Sequence, residues 1–166
     1  VVTVRGRSRR RFSIAALACS TSGTRSRIIY RPKRHPDHKS GRRRSFAWSD
    51  YRDLLIAAHR QLGAPIVLIW DSLNVHRDAR LTTFIDSCAW LTVSYLPPYA
   101  PDLNPVEGIW SVLRRSSQAN TAFTDPGHLL KALRRGLRKI QYRSRLIEGF
   151  LAATGLTLTT SRLQAR

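Results

Sequence analysis

Two apolar runs of strand length constrain this chain more than anything else in it. Ile66-Val67-Leu68-Ile69-Trp70 is unbroken, and Leu91-Thr92-Val93-Ser94-Tyr95-Leu96 follows after 20 intervening residues. A run without polar alternation marks a strand covered on both faces, as in a parallel sheet. Between the two, Leu81, Phe84, Ile85 and Cys88 recur at helical spacing, which predicts a helix from about Asp78 to Ala89. Strand, helix and strand of these lengths make a right-handed crossover between parallel neighbours. The fold class is therefore α/β.

Around this unit the chain reads in order. Val1 to Val4 suits a short strand end, and Arg5 to Arg11 a basic turn. Phe12 to Ser20 is apolar on both alternating faces, and Thr21-Ser22-Gly23-Thr24 is a turn. Arg25 to Tyr30 then reads as a second strand paired back as a hairpin. Arg31 to Ser45 carries two prolines, a glycine and seven basic residues, so a basic loop is expected; its His35 and His38 lack nearby partners of the usual ligand types. Ser49 is placed to cap a helix through Leu62, stopped by Gly63. Further helices are expected over Pro105 to Ser116, from Asp125 or Pro126 through Ile140, and over Arg143 to Ala153. The sheet is mixed, a hairpin followed by a parallel pair, and no internal repeat or second domain is visible.

Charge points to the partner. The 166 residues carry 29 Lys and Arg against 10 Asp and Glu, a net +19, and 25 of the 29 are Arg. The planar guanidinium fork matches phosphate, so nucleic acid is the favoured partner. The helix after Pro126 places Lys131, Arg134, Arg135, Arg138 and Lys139 opposite its apolar stripe. With Arg42, Arg43 and Arg44 of the basic loop and Arg114 and Arg115 of the preceding helix, they are the candidate DNA contacts. No apolar run approaches the roughly 20 residues that cross a bilayer, so a soluble intracellular protein, nucleoid-associated if bacterial, is expected without a membrane partner. Cys19 and Cys88, each within an apolar segment, read as free thiols.

Among the acids, Asp71 stands apart because five apolar residues lead into it. A carboxylate at the end of a buried strand needs a cation or several donors, and strand C-termini are where open α/β sheets place ligands. The alternative is a cap on the following turn through Asn74 or Arg77. Glu107 lies beyond 35 residues, behind a stretch stiffened by Pro97, Pro98, Pro101 and Pro105. Asn104-Pro105-Val106-Glu107 also satisfies a capping box, which is the competing account of Glu107. Phosphoryl-transfer enzymes need two or three carboxylates around paired ions about 4 Å apart. Oxygen ligands without a Cys or His set suit Mg²⁺ or Mn²⁺. There is no Gly-x-x-x-x-Gly-Lys loop and no Gly-x-Ser-x-Gly elbow.

At these residues the chain resembles the DDE endonuclease domain of IS630/Tc1/mariner superfamily transposases. The resemblance rests on Ile69-Trp70-Asp71-Ser72-Leu73-Asn74-Val75-His76, on Leu96-Pro97-Pro98-Tyr99-Ala100-Pro101-Asp102-Leu103-Asn104-Pro105-Val106-Glu107, and on Trp110 behind. It implies a ribonuclease H-like fold and metal-dependent cleavage and transfer of DNA strands at transposon ends. Asp71 and Glu107 would be the second and third acids of the triad, with Ser72, Asn74, His76 and Asn104 supporting them. Ser72 replaces the family's usual Asn.

The first acid, carried in the family on the first and central strand, has no counterpart here; Asp37, Asp50 and Asp53 fall in the wrong elements. The expectation is a mixed sheet lacking its central strand, with two edges unpaired, and an endonuclease domain (1–141) followed by a helix and tail (142–166). An upstream transposase fragment would complete it, and a homodimer is the family's usual state. The competing expectation is a catalytically inactive, basic nucleic-acid-binding remnant of a mobile element.

Overall fold

The computed structural model describes residues 12–34, 45–72, 74–116, 123 and 126–155. The expectations for Val1 to Val4, His35, His38, Arg42, Arg43 and Arg44 fall outside the described residues.

Strands β1 (Phe12–Cys19) and β2 (Arg27–Arg34) form the expected antiparallel hairpin, in register from Phe12 opposite Arg34 to Cys19 opposite Arg27. β2 runs four residues past the expected end at Tyr30. Pro32 is tolerated because β2 has one strand neighbour among the described residues, so its missing N–H removes no second ladder bond. The added residues are anchored by charge. Lys33 pairs with Asp50, and Arg31 lies 3.5 Å from Asp53, both on helix α1 (Trp48–Leu62). α1 begins after Ala47 rather than at Ser49, because the Asp50 carboxylate accepts the Ala47 N–H at 2.7 Å. Gly63 ends it at φ 64°, a left-handed conformation glycine adopts without strain.

β3 (Ile66–Trp70), α2 (Ala79–Asp86) and β4 (Leu91–Tyr95) are the expected crossover, with the strands parallel from Ile66 beside Leu91 to Trp70 beside Tyr95. Asp78 caps α2 by accepting the Arg80 N–H at 3.0 Å. α2 stops three residues short of Ala89, because the Ser87 amide turns back onto Thr83 and Phe84 carbonyls and the hydroxyl onto Phe84. Helices α3 (Pro105–Ser116), α4 (Pro126–Gln141) and α5 (Ser144–Ala153) complete the described chain.

The hairpin and the parallel pair do not join. Among the described residues they are two separate two-stranded sheets, β1 with β2 and β3 with β4. The order of hairpin, helix and parallel crossover is the mixed α/β arrangement that the resemblance implies.

The first sheet is wrapped. Ala16, Ala18, Ile28 and Tyr30 pack on Ile109, Leu113, Leu137, Ile140 and Ile147 of α3, α4 and α5. The alternate residues Ala15, Leu17, Cys19 and Ile29 meet Leu54 and Ala58 of α1. Gly108 of α3 lets α5 come close: a Cβ there would lie 2.4 Å from the Phe150 ring. The second sheet is covered once, by Leu55 of α1 and Leu81 and Ile85 of α2 against Leu68, Trp70 and Leu91. On its other face Val67 is 72% exposed and Ile69 41%. Cys19 and Cys88 are free thiols, and burial raises the Cys19 pKa to about 11 against the pull of Arg27.

Candidate active site at the ends of the parallel strands

Between the two sheets lies a cavity of about 400 Å³. Its walls include every residue from Ile14 to Thr21 on one side and from Ala64 to Asp71 on the other. Successive side chains of a strand point to opposite faces, so a cavity that meets consecutive residues borders strand edges. It is a slot between the backbone edges of β1 and β3. Asp71, His76, Asn104 and Glu107 line it too.

Asp71 stands where the sequence put it, immediately after β3. Its Oδ1 is buried with no donor of its own among the described residues, although the side chain as a whole is 40% exposed. His76 lies beneath. Its Nδ1–H donates to the Asp71 carbonyl oxygen at 3.1 Å. Oδ1 lies 2.7 Å from the same nitrogen, so the one hydrogen on Nδ1 faces both the carbonyl and the carboxylate, and Oδ1 has no other donor among the described residues. A carbonyl can only accept, so Nδ1 carries the hydrogen and Nε2, buried without a partner, is the bare nitrogen. Burial lowers the His76 pKa, outweighing the Asp71 carbonyl and carboxylate, and keeps the ring neutral. Trp70 at 3.9 Å and the edge of Tyr51 at 4.6 Å hold the imidazole. Burial, followed by the charges of Asp71 and Asp50, raises the Tyr51 hydroxyl to about 12.

Glu107 arrives through the proline-rich turn. There Tyr99 is fully exposed and has φ 58°, a strained value for a residue with a side chain. Asn104 caps α3, its Oδ1 accepting the Val106 N–H at 3.1 Å. The other half of the capping box is not made. The Asn104 N–H is taken by the Pro101 carbonyl at 2.9 Å, and the Glu107 carboxylate accepts no hydrogen bond among the described residues. The helix start therefore leaves Glu107 exposed and free to bind. The cap reading of Asp71 also fails with respect to Arg77, which turns to Ser72 instead.

The supporting residues divide. Ser72 donates to the Leu96 carbonyl at 2.8 Å, which ties the ends of β3 and β4 together rather than serving Asp71. Asn74 lies in the short turn after Asp71, and its side chain is outside the described residues. Lys131, Arg134, Arg135, Arg138 and Lys139 are all exposed on α4, as are Arg114 and Arg115 at the end of α3. Arg77 and Tyr95 border the site; the sequence offers Arg77 only as a cap partner of Asp71 and does not mark Tyr95. The signal available was their position beside His76 and at the C-terminal end of β4.

The family model for the DDE superfamily endonuclease matches residues 38–129. The chain belongs to this family. The match spans α1, the crossover, the proline-rich turn and α3, the elements that carry Asp71 and Glu107. A 63-residue stretch is 36% identical to an uncharacterized protein, y4pE/y4sA, of Sinorhizobium fredii (strain NBRC 101917 / NGR234), covering 38% of this chain and 44% of that one. A chain of the Mos1 strand transfer complex is similar at a TM-score of 0.48 and 16% identity, over 86% of this chain and 47% of that one. The chain thus spans less than half the length of both relatives. No described helix is long and apolar enough to cross a membrane.

Proposed function

We propose that this DDE-family chain is the catalytic part of a transposase that cuts and joins DNA strands, with Asp71 and Glu107 as ligands of Mg²⁺ or Mn²⁺. The observation that carries the reading is the buried Asp71 Oδ1, which has only the shared His76 Nδ1 beside it, in one cavity with a Glu107 carboxylate that has no partner among the described residues. A buried carboxylate oxygen without a donor of its own is costly unless a cation meets it, and hard oxygen donors fit these ions. Bound there, the cation supplies the charge that stabilises attacking and leaving oxygens during in-line displacement at phosphorus. The protein's part is positional. His76 fixes Asp71 from below, Asn104 starts the helix that presents Glu107, and the prolines stiffen the approach.

Among the described residues no group of three or more potential ligands gathers. Two carboxylates are part of a site, and the slot beside them suggests the remainder. We read the edges of β1 and β3, which are unpaired among the described residues, as the place of one further strand, carried by an upstream transposase segment and bringing the third carboxylate next to Asp71. DNA would be held by the exposed cations of α4 and the end of α3, and the working unit would be a dimer, as the family resemblance implies.

The test is Mg²⁺-dependent nicking of DNA bearing the element's own ends. It compares the chain alone, the chain preceded by what its upstream reading frame encodes, and the latter with Asp71→Ala or Glu107→Ala. The reading expects nicking only from the extended parent. Nicking by both variants at the parental rate would overturn it.

A further inference from the structure

Several cations near α1 and α2 are spent on carboxylates. Arg31 and Arg52 lie on Asp53, Lys33 on Asp50 and Arg80 on Asp78. Arg77 is held differently. Its guanidinium sits over the Tyr95 ring, 5.6 Å from the centroid, and its Nη2 donates to Ser72 Oγ at 3.5 Å. Both of these partners are neutral, and no carboxylate pairs with Arg77 among the described residues, so the charge is oriented without being cancelled.

The support is itself braced. Ser72 Oγ donates to the Leu96 carbonyl at 2.8 Å, and the Tyr95 hydroxyl donates to the His76 carbonyl at 3.1 Å. Ser72 follows Asp71 in the chain, and His76, which touches Asp71, precedes Arg77. An exposed guanidinium is thus pinned across the C-terminal ends of β3 and β4, at the rim of the site.

We propose that Arg77 is a phosphate anchor: it binds the non-bridging oxygens of a DNA phosphodiester close to the one presented to Asp71 and Glu107. A guanidinium offers parallel N–H donors that match phosphate, and stacking on an aromatic face suits it better than an ammonium. Because Tyr95 and Ser72 already order the side chain, less freedom is lost on binding. The cations of α4 lie on an open helix face; they add attraction, whereas Arg77 sets position.

The inference rests on the nucleic-acid reading above, and its test needs neither metal nor cleavage. Affinity for a short DNA duplex is measured in EDTA across a salt series, for the full chain and for Arg77→Ala, Arg77→Lys and Arg138→Ala. Arg77 is exposed, and thermal melts of each variant establish that folding is retained. Arg77→Ala should weaken binding about tenfold and shallow the salt slope by about one. Arg77→Lys should keep the slope yet recover only part of the affinity, because an ammonium is a point charge without the fork. Arg138→Ala should shallow the slope similarly with a loss of about threefold or less. Equal losses for Arg77→Ala and Arg138→Ala, or full recovery by Arg77→Lys, would overturn the assignment. Failure of the parent chain to bind DNA would overturn the nucleic-acid reading itself, and the anchor with it.

Discussion

The two sheets are built from similar apolar strands but are finished differently. β1 and β2 bury alternate residues against α3, α4 and α5 on one face and α1 on the other. The outer edge of β2 is also tied, since the Ile28 N–H donates to Gln141 Oε1 at 2.6 Å. β3 and β4 are covered mainly by α1 and α2, and leave Val67 and Ile69 open. Among the described residues the buried side-chain atoms without a hydrogen-bond partner, Asp71 Oδ1 and His76 Nε2, both follow β3, and Arg77 beside them is held by neutral partners. Packing that is complete makes a scaffold, and packing left incomplete beside free lone pairs makes a place for ligands. α1 couples the two, with Leu54 and Ala58 facing one sheet and Leu55 the other.

That contrast can be broken or sharpened by substitution. The largest effect belongs to the second sheet and concerns chemistry. In the extended chain, Asp71→Asn and Glu107→Gln should each lower nicking more than about 100-fold, beyond the range of outer-shell changes, while melting temperatures stay close to the parent's. The next effect belongs to the first sheet and concerns stability. Ile109→Ala or Leu137→Ala, both fully enclosed, should cost about 2–5 kcal/mol in denaturant unfolding. By contrast, Val67→Thr and Ile69→Thr on the open face should stay within about 0.5 kcal/mol. Equal costs on both sheets would erase the distinction.

Smaller effects follow. Gly108→Ala drives a Cβ into Phe150 and should cost about 1–3 kcal/mol, with partial relief from Phe150→Leu in the same chain. Asp50→Asn removes the Lys33 pair and weakens the acceptor for the Ala47 N–H, for a loss of about 1 kcal/mol at neutral pH. Burial raises the Asp50 pKa, but Lys33, the Ala47 amide and Arg31 lower it more, so it lies below the ordinary carboxylate value. Folding therefore gains from the ionised form above pH ~4. The difference between parent and variant should fade as pH falls through that lowered pKa, as pH-dependent unfolding curves would record.

Periodicity made much of this legible. Continuous apolar runs located β3 and β4, helical spacing located α2 to α5, and five apolar residues leading into Asp71 singled out that carboxylate. Local rules missed where a distant partner decided the outcome. Arg31 to Arg34 reads as loop, yet pairing with Phe12 to Ala15 and the acids of α1 make it strand. Asn104 to Glu107 reads as a capping box, yet the Pro101 carbonyl reaches the Asn104 N–H first. Arg77 reads as one arginine among 25; only the strand ends that bring Tyr95 and Ser72 beside it show that it is held.

The central claim is that Asp71 and Glu107 hold a divalent cation at the mouth of the slot. The direct measurement is a Mn²⁺ titration of the isotope-labelled full chain, read as paramagnetic broadening of assigned amide signals. Signals of residues 71, 72, 76, 104 and 107 should broaden first, and Asp71→Asn or Glu107→Gln should remove the effect without shifting the signals of β1 and β2. Broadening that begins elsewhere, or that survives both substitutions, would contradict the account.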